Sequence, residues 1–172
     1  MPTAGGTVGP IGGPRGYGVA MADQVSVTTE IRASPESLYA MVADLPRMGE
    51  WSPENVGASW LGGATGAAPG ARFKGVNSAG RKRWSTAGTV IEAVPGRVLS
   101  FRVTAVGLKV ARWTYRFEAT ASGCAVTETW DDERGAVVTL LGKLVSGVGD
   151  RVTHNRVGME ETLRNLGAAA ED

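Results

Sequence analysis

Few residues in this chain could do acid–base chemistry, and Glu128 is the carboxylate that stands out. It shares strand parity with Val126 and Trp130, against Thr127, Thr129 and Asp131. If the Val126/Trp130 face is turned inward, burial raises the Glu128 pKa and makes an acid or base near neutral pH. If not, Glu128 points to water or pairs with a strand arginine such as Arg102 or Arg116. His154 is the one histidine, so a multi-histidine metal site is excluded. It lies one residue off an apolar helical stripe. That position reads as a helix-surface or helix–sheet contact ahead of a general base. Asp131-Asp132-Glu133 reads as a solvated strand end, and Arg81-Lys82-Arg83 as a solvated hairpin turn. Gly142-Lys143-Leu144 is no phosphate loop, because Leu144 replaces the required hydroxyl residue. Neither a catalytic triad nor a cofactor is expected.

The residues suited to binding are more numerous. Trp51, Trp60, Trp84, Trp113 and Trp130 all fall in the middle of the chain. Large amphipathic rings suit the wall of an apolar pocket, and they suit an ordinary core as well.

Composition limits the partners. A chain of 172 residues with 18 basic and 17 acidic side chains carries a formal charge of +1. That balance gives no support for nucleic-acid binding. One cysteine, Cys124, excludes an internal disulfide and fits a reducing compartment. No segment approaches the length of a membrane span. Residues 1–21 are rich in glycine and proline and lack the features of a signal peptide. They are expected to form a disordered tail ahead of a single domain over 22–172, in the cytoplasm.

The positioning elements follow from periodicity. Residues 24–32 alternate as a half-buried strand. Ser34 and Pro35 open a helix as N-cap and first position, with Leu38, Met41, Val42 and Leu45 at helical spacing. Pro46 ends it, and 47–53 can hold one further turn. Residues 54–61 are a strand candidate, and GGATGAAPG over 62–70 is a flexible loop. Strands follow at 71–77, 83–94, 97–106, 110–120 and 124–131, with short turns that imply an antiparallel meander. From 136 to 166 the pattern is helical, with Leu140, Leu141, Leu144, Val148, Val152, Asn155, Met159, Leu163 and Leu166 on one stripe. Gly142, Gly147 and Gly149 weaken its first half by roughly 1 kcal/mol each.

This order reads as α+β: a curved antiparallel sheet of six to seven strands around a long C-terminal helix, with one or two short helices after the first strand. With ASPESLYAMVADLPRMGEWSPE (33–54), PGARFKGVN (69–77), RWSTAGTVIEAVPGRVLSF (83–101), VARWTYRFEATASGCAVTETW (110–130) and HNRVGMEETLRNL (154–166), the chain resembles the START-like or SRPBCC superfamily. That is the birch-pollen-allergen-like helix-grip fold. The polyketide cyclase/dehydrase-like branch, of actinobacterial type, is the part it looks closest to.

The resemblance implies a hydrophobic cavity between sheet and C-terminal helix. The residues expected at that cavity are Trp51, Phe73, Trp84, Phe101, Val103, Trp113, Tyr115, Trp130, Leu144 and Val148. Trp51 either caps the cavity or plugs the space between the short helix and the sheet. The scaffold hosts carriers, receptors and cyclases alike. Binding or transport of a small apolar or amphipathic molecule, lipid or polyketide-like, is the leading expectation, in a monomer or homodimer. A polyketide cyclase, aromatase or dehydrase with Glu128 as its catalytic group is the alternative, and a toxin-like or other interaction module is the third.

Overall fold

The computed structural model describes residues 23–171; the expected tail, residues 1–21, lies outside the described residues. Strand β1 (Gln24–Ile31) leads into α1 (Pro35–Ala43) and a 3-10 helix (Leu45–Glu50). Strands β2 (Asn55–Leu61), β3 (Arg72–Ala79), β4 (Lys82–Val94), β5 (Val98–Ala105), β6 (Leu108–Ala119) and β7 (Cys124–Asp132) follow. Helices α2 (Ala136–Ser146) and α3 (Arg151–Glu171) close the chain. The seven strands make one antiparallel sheet in the order β1-β7-β6-β5-β4-β3-β2.

Local chemistry explains the boundaries. The Ser37 amide donates to Ser34 Oγ at 3.1 Å, which satisfies one free N–H at the start of α1. Leu38, Tyr39 and Val42 bury the inner face of α1. Asp44 then leaves helical geometry ahead of Pro46. The 54–61 candidate does form a strand, although its pairing slips between Asn55 and Gly57. Further irregularities fall between Val90 and Glu92 and between Val103 and Thr104. Such bulges bend a sheet, and bending gives this one its concave face.

One expectation needs correction. The apolar stripe over 136–166 is split between two helices. Gly147 takes a left-handed φ of 75° and its amide caps the Lys143 carbonyl. Asp150 then caps α3, accepting from the Thr153 amide at 3.1 Å. Periodicity is meaningful only along one helix axis, so the stripe does not run through the break. Leu140, Leu141 and Leu144 of α2 are exposed, and α3 alone is packed on the core. There Met159, Leu163 and Leu166 are buried, together with Asn155 and Thr162. Lys82 Nζ donates to the Leu144 carbonyl at the end of α2, so part of the basic hairpin turn is a helix-end contact.

Candidate functional site

Alternation and register assemble the inner surface of the sheet. Phe101, Trp113 and Trp130 are successive cross-strand partners on β5, β6 and β7. Leu99, Tyr115 and Glu128 form the next row. Together with β3, β4, α2 and α3, these strands line a partly open cavity of about 950 Å³. Phe73, Trp84, Phe101, Val103, Trp113, Tyr115 and Trp130 all lie on its wall. Phe73 packs edge-on against Phe101 at 5.4 Å and against Trp60 at 6.0 Å. Gly88 on β4 makes room for that ring, since a β-carbon there would stand 2.0 Å from Phe73 Cζ.

Three expected wall residues lie elsewhere. Trp51 is 1% exposed and outside the cavity. Its Nε1 donates to Met48 Sδ, and its carbonyl accepts from Asn165 Nδ2, so it plugs the space between the 3-10 helix and α3. Leu144 is 67% exposed on α2, and Val148 lies in the break between helices. Leu144 falls off the face of α2 that carries Val138, Leu141 and Val145, and those three line the cavity instead.

Glu128 is turned inward, and it pairs with neither arginine considered from the sequence. It is 2% exposed, and Tyr115 Oη donates to its Oε1 at 2.6 Å. Its Oε2 is the one fully buried side-chain polar atom without a hydrogen-bond partner among the described residues. Burial raises its pKa to about 8, partly offset by the Tyr115 hydroxyl. Burial and the adjacent carboxyl raise the Tyr115 pKa well above its ordinary value. Arg102 is instead held by Glu133 through contacts of 2.6 and 2.9 Å. Asp132 likewise holds Arg134 at 2.8 and 2.6 Å, and that guanidinium lies over Trp130 at 5.8 Å. The acidic strand end is therefore a pair of arginine clamps, a fold-back contact that linear order does not reveal.

A second polar group also lines the cavity. Glu54 accepts from Arg151 Nη1 at 2.7 Å and contacts His154 Nε2 at 2.7 Å. Arg151 also lies over Trp84 at 6.0 Å. Sequence reading missed this clip because Glu54 and His154 are far apart in the chain. No set of three side chains able to hold a metal occurs among the described residues, and Cys124 is buried and unpaired.

The family described as polyketide cyclase/dehydrase and lipid transport matches residues 22–171. Curated proteins provide no match to the sequence. Among solved structures, a polyketide cyclase-like protein of Corynebacterium glutamicum is similar at 27% identity and TM-score 0.59, covering 89% of this chain and 94% of that one. The two-domain aromatase/cyclase of the steffimycin biosynthetic pathway matches at 14% identity and TM-score 0.65, over 88% of this chain and 51% of its own. A major latex-like protein of Panax ginseng matches at 12% identity and TM-score 0.66, over 88% of this chain and 99% of its own. At the identities of the last two, the likeness is one of fold.

Proposed function

This chain belongs to the polyketide cyclase/dehydrase and lipid transport family, and we propose that it binds a small apolar or amphipathic molecule, lipid or polyketide-like, without converting it. The observation that carries this reading is the cavity of about 950 Å³ with an aromatic wall from Phe101, Trp113 and Trp130. A ligand that buries about 500 Å² of apolar surface there gains roughly 12 kcal/mol at ~25 cal/mol per Å². Association and ordering costs of at least about 4 kcal/mol leave an affinity that is micromolar at best. Two observations support binding over turnover. The wall is mainly apolar, and among the described residues no hydroxyl or thiol on it is hydrogen-bonded to His154, whose partner is Glu54.

The test is titration with fatty acids and aromatic polyketides while tryptophan emission is followed. Trp113, Trp130 and Trp84 should respond, and Trp113→Ala should weaken binding. Native mass spectrometry of protein made in its own host should retain a bound molecule. Absence of any response across the panel at high micromolar concentration would sink the reading and favour an interaction module.

A cyclase or dehydrase is the second reading, and the Tyr115–Glu128 pair inside the cavity is what favours it. Cyclisation needs a proton removed beside one carbonyl and delivered to another. Acceleration of that reaction on a polyketide-like substrate, abolished by Glu128→Gln, would establish it.

A further inference from the structure

The cavity wall is mainly apolar in area, and among the described residues all but one of the fully buried polar side-chain atoms have partners. Glu128 Oε2 has none. A buried polar atom without a partner costs about 1–3 kcal/mol, so a ligand atom that pairs with it is favoured. The chemistry of that ligand atom follows from the neighbours. Tyr115 on β6 already gives its hydroxyl proton to Oε1. On the other side, β1 places Val27 opposite Glu128 in the register, and valine has nothing to donate. From α3, Asn155, Met159 and Thr162 face the same cavity and carry no charge. Of the charged groups that line it, Glu54 is engaged with Arg151 and His154, Arg134 is held by Asp132, and Glu161 is half-buried. Among the described residues no cation pairs with Glu128, so none of them compensates a buried carboxylate there.

We infer that Glu128 is a specificity residue that stays a carboxylic acid in the folded protein, and that its free O–H donates to a carbonyl oxygen of an otherwise apolar ligand. The cavity thereby selects ketones, quinones and esters over hydrocarbons of the same shape and over amines. The elevation of the Glu128 pKa to about 8 by burial agrees with this protonation state near pH 7. This inference rests on the binding reading and names the ligand class it takes.

The experiment uses three rigid probes on one ring system, varied at the 9-position alone: fluorenone, fluorene and 9-aminofluorene, whose aliphatic amine is largely protonated at about pH 6.5. Each is titrated into the full chain by calorimetry and by tryptophan emission. At about pH 6.5, below the Glu128 pKa, fluorenone should bind roughly five- to tenfold more tightly than fluorene, the value of one hydrogen bond. Above about pH 9, where Glu128 is ionised, that preference should disappear while fluorene affinity holds. Glu128→Gln keeps an N–H donor, so it should keep the fluorenone preference and lose its pH dependence. Glu128→Leu should abolish the preference at every pH and still bind fluorene, which also shows that the variant is folded. Equal binding of fluorenone and fluorene at low pH overturns the inference and leaves the binding reading standing. Tightest binding of the 9-ammonium probe overturns it as well, because a buried cation needs a carboxylate beside it. Failure of all three probes to bind overturns this inference, while the fatty-acid and polyketide titration decides the binding reading separately.

Discussion

The burial that equips Glu128 to donate a hydrogen bond also makes it a liability once it ionises. Its pKa lies near 4.5 in the unfolded chain and is raised to about 8 in the fold. The folded state therefore holds a proton that the unfolded state has lost throughout that window. The contribution to stability is fully present below about pH 4.5 and is lost as pH rises through about 8. Urea midpoints should fall between about pH 5 and pH 9 by an amount worth a few kcal/mol, and Glu128→Gln should remove most of that slope. An identical slope in the variant would show that Glu128 is hydrated and ionises normally. At this scale the sequence carried part of the answer. Parity placed Glu128 with Val126 and Trp130, but which of the two faces is inner was decided by what packs against β7. The Glu54, Arg151 and His154 clip had no signal at all, since its members meet only when the start of α3 reaches the segment before β2.

Among the elements, α3 is the main support. Leu163 is completely buried in the principal cluster, which also holds residues of β1, α1 and the 3-10 helix. Leu163→Ala should cost about 2–5 kcal/mol of unfolding free energy, measured by chemical denaturation. A cost below about half a kcal/mol would place this helix away from the core. Gly88 on β4 tests the cavity wall rather than the core. Its missing side chain is where the Phe73 ring lies, so Gly88→Ala should push that ring and cost about 1–3 kcal/mol. Reduced affinity for any cavity ligand should accompany the loss. A neutral outcome in both measurements would mean that Phe73 moves freely and does not shape the wall. Element types along the chain were legible because alternation in β5, β6 and β7 is regular. The break before α3 was signalled by Gly147, Gly149 and Asp150, yet the apolar residues on either side fell at compatible helical spacing and masked it.

For the whole molecule, the family match begins at residue 22, and the chain before it is dominated by glycine and proline. Protein starting at Met21 should melt within about two degrees of the full chain and bind the same ligands. A loss of ten degrees or so would show that the first residues pack on the domain. The helices give no candidate for crossing a membrane: none among the described residues is long and apolar enough.

What the sequence determined by itself is the kind and order of the elements. Strand and helix periods are local properties, written in alternating or three-and-four spacing and closed by Ser34, Pro35, Pro46 and the turn glycines. A curved sheet against one C-terminal helix followed, and so did the expectation of a cavity. What only the tertiary structure decided is which side chains meet across that space. Trp51, Leu144 and Val148 have the right composition for a cavity wall. The face that α2 turns to the cavity, the break at Gly147 and the closing of the 3-10 helix on α3 direct them elsewhere. The unpartnered oxygen of Glu128 and the two arginine clamps at the end of β7 were settled in the same way. These are contacts between distant parts of the chain, or between side chains folded back on one another. Their geometry depends on the bend of the sheet and the angle of a helix break, quantities that residue spacing does not encode.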